Sequence, residues 1–289
     1  MGILAPTVAL GVVFVATFWS LSGMARRQPL PVTNHRGLPV TTAGGFAIVF
    51  GVTVGAGILL ALRSTDPSTG RLWLDLSSGI LVASPGALFG VFGLYDDVAG
   101  EPGQRGWSAH LEALRKLQPT AGVVKMIGAV ALALWFTPPG SVSGIDEQVI
   151  RAITVALIIN AFNGFDLRPL RMTKAIAIAC IPLLFAGWSG TGAALLILIA
   201  MAATVSAERA ERIILGDTGA YALGGMLGLA ASRQIPEGST GLLILLLVAA
   251  LLNLLAVKPG ISNLIDRVGF LAAWDRLGRR TDLPPPPAQ

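Results

Sequence analysis

Apolar residues run along this chain in long unbroken stretches, and the polar residues are confined to short segments between them. Crossing the hydrocarbon of a bilayer takes roughly 17 to 25 predominantly apolar residues in a helix, and on length and hydropathy about nine stretches qualify. They lie near residues 3–22, 43–62, 79–95, 122–138, 149–162, 175–188, 192–205, 219–235 and 241–257. Dividing 175–205 differently would make ten. An outer-membrane barrel would need apolar and polar residues to alternate with a period of two over short segments, and no such alternation occurs. The pattern therefore predicts an all-α, polytopic transmembrane helical bundle.

Two stretches carry a different pattern. WSAHLEALRKLQ places Trp107, Leu111, Leu114 and Leu117 at helical spacing beside Arg115 and Lys116. ISNLIDRVGFLAAWDRLGRR sets Ile261, Ile265, Val268, Phe270, Trp274 and Leu277 against Asp266, Arg267, Asp275 and Arg276. Such helices either lie in the plane of a leaflet or pack on the protein's own loops. The chain reads as one integral membrane domain over 1–283, followed by a flexible proline-rich tail at 284–289.

Composition agrees with this map. Hydrophobic residues make up 53% of the 289 and charged residues 13%, about half the charged share of a soluble domain, which is roughly 25%. Cys180, the only cysteine, lies inside an apolar run, so no intramolecular disulfide can form. The net charge of +5 does not point to nucleic acid, because the basic residues lie between apolar runs, where they set topology. With the N-terminus outside, the inner loops hold Arg26, Arg27, Arg36, Arg105, Arg115, Lys116, Arg168, Arg171, Lys174, Arg209, Arg212, Lys258, Arg267, Arg276, Arg279 and Arg280. The outer side keeps Arg63, Arg71, Arg151 and Arg233, an asymmetry that places the C-terminus in the cytoplasm. The first run lacks a preceding basic segment and is followed by Arg26 and Arg27, so it is expected to be a membrane helix rather than a cleaved signal.

On this map several acids and amides share the cytoplasmic surface. Asp96 and Asp97 close the apolar run ending in GLYDDVAG, Asn160, Asn163 and Asp166 stand in NAFNGFD, and Asp217 stands in ILGDTGAYALGG. The outer acids Asp66, Asp75, Asp146, Glu147 and Glu237 are expected in ordinary loops. An acid between apolar segments costs free energy unless it meets water, a cation or a ligand. Four carboxylates on one face suggest a divalent cation, and oxygen donors favour Mg²⁺ or Mn²⁺ over zinc. His35 and His110 are too far apart to argue otherwise. Lys125, at the inner end of its span, would either snorkel to the interface or fix a positive charge near an anionic substrate. Adjacent helical residues diverge by about 100°, so one aspartate of the 96–97 pair, expected to be Asp97, turns inward. The repeat Gly224-x-x-x-Gly228 is expected to serve helix packing.

The order NHRGLPVTTAGG, GLYDDVAG, a lysine early in the next span, NAFNGFD and LGDTGAYALGGMLG resembles the polyprenyl-phosphate N-acetylhexosamine-1-phosphate transferase family over roughly residues 30 to 230. The resemblance implies Mg²⁺-dependent transfer of a sugar 1-phosphate from a UDP-sugar to a membrane polyprenyl phosphate, with release of UMP. It implies Asp96, Asp97, Lys125 and Asp217 as catalytic residues, with Asp217, Asp96 and Asp97 at the metal. It gives Asn160, Asn163 and Asp166 to substrate binding. The expected partners are polyprenyl phosphate, a nucleotide sugar and the cytoplasmic membrane, with the active site facing the cytoplasm; a homodimer is compatible with such a chain.

The family continues with D-G-x-x-G-L, whereas this chain reads DLRPLRMTK, and no histidine follows His110. Arg168 and Arg171 are therefore expected to grip an anionic group in place of glycine backbone. Two other classes compete with the transferase. One is a family member that binds lipid-linked sugars or regulates envelope synthesis without turnover. The other is a transporter, disfavoured because its ionisable groups should lie near the bilayer midplane.

Overall fold

The computed structural model describes residues 4–27, 29–34, 36–65, 71–99, 120–137, 144–256 and 260–280. The stretch 107–118, both histidines, Lys258 and the proline-rich tail fall outside the described residues. Helix accounts for 82% of the described structure, which decides the all-α class. Five helical segments are long and apolar enough to cross a membrane: Leu4–Met24, Gly44–Leu62, Asp75–Ala99, Ile145–Phe165 and Gly187–Arg209. Two shorter apolar helices, Ala121–Phe136 and Thr240–Leu255, accompany them. Large apolar side chains face outward all round the bundle: Trp19, Trp135, Phe185, Leu247 and Leu254 are among the most exposed. A soluble monomer rarely shows so much apolar surface, whereas hydrocarbon accepts it.

In chain order the elements begin with α1 (Leu4–Arg27), β1 (Pro31–Thr33), β2 (Pro39–Thr41), α2 (Gly44–Thr65), α3 (Arg71–Ala83) and α4 (Gly90–Ala99). Then follow α5 (Ala121–Phe136), α6 (Ile145–Phe165), α7 (Arg171–Ala179), α8 (Ile181–Leu184), α9 (Gly187–Arg209), α10 (Gly216–Gln234), α11 (Thr240–Ala256), α12 (Gly260–Arg267) and α13 (Gly269–Arg276). Two predicted runs are broken. The apolar run at 79–95 starts earlier and passes through a 3₁₀ segment, Ser84–Phe89, with Pro85 in its first turn. The run at 175–188 divides into α7 and α8 at Cys180, because Pro182 cannot donate the hydrogen bond that would continue the helix. Asp75, Asp146 and Glu147 stand in helices rather than loops. The hairpin β1–β2 is a small departure from all-α; it pairs Pro31 with Thr41 and Thr33 with Pro39.

The helix α10 is the axis of the fold, packed against α2, α4 and α6. Fifteen of its residues are buried, so it needs small side chains rather than lipid-soluble ones, and its low apolar bulk follows from that position. Glycines set the contact distances. A Cβ at Gly45 of α2 would lie 2.1 Å from the Gly219 nitrogen, and one at Gly93 of α4 would lie 2.1 Å from the Asp217 carbonyl oxygen. The Gly224-x-x-x-Gly228 face seats Ile159 and Val155 of α6, which is the packing role expected of it.

The two ends of the bundle differ in chemistry. At one end Arg151 of α6 pairs with Glu147 and donates to the carbonyls of Ser232 and Ile235, closing the C-terminus of α10. At the other end the loops are layered. Thr41 forms a parallel bridge to Ile213, Arg36 pairs with Glu211 at 3.1 Å, and the C-terminal pair α12–α13 covers the start of α7.

Candidate functional site

At this layered end, α4, α5, the α6 terminus and α10 meet. Lys125, one turn into α5, donates from Nζ to both Asp96 and Asp217. The three side chains are partly open, at 12%, 22% and 27% exposure respectively, so a small ion or a phosphate can reach them. The Lys125 ammonium also lies 5.3 Å from the centroid of the Tyr221 ring, within cation–π range. Tyr221 is buried and stands four residues after Asp217, so both project from one face of α10.

Asp97 does turn inward, but it meets backbone rather than the lysine. Its carboxylate accepts from the Asp217 N–H (3.1 Å), the Thr218 N–H (2.9 Å) and the Thr218 hydroxyl (2.6 Å). Asp166, at the end of α6, accepts the Gly216 N–H at 2.8 Å. Two carboxylates from two helices thus satisfy the first N–H groups of α10, where the helix dipole favours negative charge. Gly216 sits at φ +68, and a Cβ there would lie 2.9 Å from the Asp97 carboxylate, so glycine is required at this position. Burial, with the neighbouring Glu208 charge, pushes the Asp166 carboxyl well above the usual carboxylate range.

The structure places the remaining predicted residues elsewhere. Asn160 donates to Asn253 of α11 at 2.6 Å, tying α6 to α11. Asn163 lies on the last turn of α6, where its carbonyl accepts the Asp166 N–H. Arg168 and Arg171 turn to the C-terminal pair. Arg171, fully buried, holds Asp275 of α13 with two bonds of 2.7 and 2.9 Å and reaches Ser262 of α12 at 3.0 Å. Arg168 holds both oxygens of Asp266 at 2.9 Å. Lys174 caps the end of α13 through the carbonyls of Trp274, Asp275 and Leu277. Burial would raise the Asp275 carboxyl, but Arg171 and Arg279 outweigh it and hold the group at about 2. The anion that these arginines were expected to grip is supplied, in this structure, by the chain itself.

Sequence reasoning passed over three residues here. Tyr221 carried a usable signal, its i+4 spacing from Asp217. Glu208, which accepts the Leu170 N–H and the Thr173 hydroxyl, and Asp275 carried none, because their partners lie 38 and 104 residues away in the chain.

The donor set fits a hard cation of modest coordination demand. Among the described residues no three His, Cys, Asp or Glu side chains form a metal cage. Mg²⁺, however, is commonly held by one or two carboxylates together with substrate phosphates and water, and Asp96 and Asp217 present two carboxylates to one point, which the Lys125 ammonium fills in this structure and would have to yield to a metal ion. The N–H groups of α10 that would otherwise bind a phosphate are already taken by Asp97 and Asp166. A phosphate arriving here must therefore be met by Lys125 or a metal ion. No protein-family model matches the chain, and no curated protein matches it. Fold and site together define a helical membrane protein with an acidic cluster around one lysine at one end of its bundle.

Proposed function

We propose that the chain is a Mg²⁺-dependent phosphoglycosyl transferase that moves a sugar 1-phosphate from a nucleotide sugar, with uridine as the expected base, to a membrane polyprenyl phosphate. The observation that carries this reading is the convergence of Asp96, Asp97, Lys125, Asp166 and Asp217, from segments far apart in sequence, at one partly open point at the end of an apolar bundle. That position suits a reaction between one water-soluble and one lipid substrate. The phosphorus bearing the sugar exchanges its bond to the nucleoside monophosphate for a bond to the lipid phosphate, and the nucleoside monophosphate leaves.

Asp217 and Asp96 would hold Mg²⁺, which when bound draws charge from the donor pyrophosphate. Lys125 offsets the negative charge that develops on the leaving phosphate. Asp97 and Asp166 are positioning residues: they fix the first turn of α10 and with it the direction of Asp217. In this reading nine segments cross the membrane and the acidic end faces the cytoplasm. In support, Arg26, Arg27, Arg168, Arg171, Lys174, Arg209 and Arg212 belong to that end, while Arg151 and Arg233 belong to the other.

The test uses purified protein, radiolabelled UDP-sugars, polyprenyl phosphate and Mg²⁺, followed by lipid extraction. Label should enter the lipid phase only with Mg²⁺ present. Label that stays wholly in the aqueous phase with every UDP-sugar would sink the reading.

A further inference from the structure

In the C-terminal pair, α12 buries Ile261 and Ile265 in the ordinary way, but α13 has its amphipathic character reversed. In water, a surface helix buries its apolar face and exposes its charges. In α13 the acid is sealed inside, with Asp275 1% exposed, and the phenylalanine points out, with Phe270 78% exposed. The reversal is enforced. Arg171 and Arg279 hold the Asp275 carboxylate, and Lys174 holds the last carbonyls of the helix while its ammonium lies 4.9 Å from the centroid of the Trp274 ring. Rotating α13 to hide Phe270 would strip Arg171 of its partner inside the protein, a costly step.

The outward face is also mixed. Leu264, Val268, Phe270 and Leu277 are exposed apolar residues, and Arg267 and Arg276 are exposed among them. Pure hydrocarbon would reject the arginines and open water would leave Phe270 and Leu277 uncovered. The boundary between headgroups and acyl chains accepts both. The preceding helix leads there. Only residues 257–259 separate the end of α11 from α12, and α11 exposes Leu247, Leu251 and Leu254 along its length.

We propose that α12–α13 is an in-plane membrane element: its Leu264–Val268–Phe270–Leu277 face is seated in the headgroup–acyl boundary of the leaflet at the acidic end, with Arg267 and Arg276 on lipid phosphates. Its partner is the bilayer surface. The same element clasps the loop that begins at Asp166, so the position of that loop is tied to the membrane plane. This assignment is independent of the proposed transfer reaction.

The experiment is nitroxide depth measurement on the full-length protein in vesicles of phosphatidylcholine and phosphatidylglycerol. Single cysteines replace Phe270 or Leu277 in a Cys180→Ala background; both positions are surface positions, so each serves as a check on the folding of the other. Leu247→Cys on α11 supplies the lipid reference and Asp146→Cys, exposed at the opposite end, the water reference. The probes at 270 and 277 should be relaxed by oxygen, which concentrates in hydrocarbon, and shielded from a water-soluble nickel chelate, as the probe at 247 is. Relaxation by nickel as strong as at 146 would overturn the proposal. Shielding from both reagents would overturn it too, because it would mean that protein, either another segment or a second copy of the chain, covers this face.

Discussion

Two cation–carboxylate clusters lie at the same end of this bundle, and they are built in opposite senses. Around Lys125, two carboxylates (Asp96 and Asp217) meet one ammonium, two more (Asp97 and Asp166) hold the N–H groups that begin α10 beside them, and the centre is partly open. Around Asp275, four cations (Arg168, Arg171, Lys174 and Arg279) gather near two carboxylates, and the central Arg171–Asp275 pair is sealed, at 0% and 1% exposure. The sealed pair has every partner it needs and no route to a ligand, so it holds structure. In the open cluster Asp96 and Asp217 outnumber the one ammonium at a reachable point, and that imbalance is what a metal or a phosphate-bearing substrate with its cation would relieve. Charge density alone does not separate structural sites from chemical ones; imbalance and access do.

Breaking the sealed pair should have the largest effect. Asp275→Ala leaves a buried guanidinium unpaired, a change worth about 3–5 kcal/mol, and the protein should unfold in detergent at markedly lower temperature or denaturant. A melting curve within error of the parent would erase the distinction between the clusters. Asp217→Asn should do the reverse. Transfer to lipid should fall on the order of 10²-fold or more, because an amide brings no charge to the cation, while the melting curve stays close to the parent's. Near-normal turnover at limiting Mg²⁺ would move the metal elsewhere.

The pH dependence sharpens the same contrast. The folded Asp275 carboxyl lies at about 2 and the ordinary value is 3.8. Its folded value is the lower one, so its contribution is fully present above pH 3.8 and is lost as pH falls toward 2. The loss amounts to roughly 2 kcal/mol. Acid unfolding monitored by circular dichroism should show this step in the parent and lose it in Asp275→Asn. The smallest effect is expected at Tyr221. Tyr221→Phe keeps the ring beneath Lys125 and should retain activity, whereas Tyr221→Leu removes a contact worth about 0.5–2 kcal/mol. It should weaken Mg²⁺-dependent transfer several-fold. Equal activity in the two variants would show that the ring only fills space.

The bundle was legible in the sequence because hydropathy is local: each apolar run announces a helix whatever its neighbours do. The breaks at Pro85 and Pro182 were equally local but lay inside runs that length alone made continuous. The open cluster was legible for a different reason, since Asp96, Asp97 and Asp166 each end an apolar stretch and Asp217 stands just before one, where an acid has no ordinary place. The fate of Arg168 and Arg171 was not legible. Both read as free cations because their partners, Asp266 and Asp275, stand about a hundred residues later in a segment whose pattern suggests only a surface helix. Asp97 was expected to turn inward and does, but the groups it meets, the Asp217 N–H and Thr218, were hidden. Capping depends on where the first turn of α10 lies, and no spacing between residues 97 and 217 encodes that.

The burial of α10 on all sides bears on how the protein is made. A segment with four glycines among Gly219–Gly228 and little apolar bulk gains little from lipid by itself, so it is a poor candidate to leave the translocation channel alone. Its neighbours α2, α4 and α6 all precede it in the chain and are therefore synthesised first. They can wait in the membrane as a cleft lined by Gly45, Gly93 and Ile159, into which α10 slots as it emerges. Assembly order, rather than hydrophobicity, then decides whether this helix enters the bilayer at all.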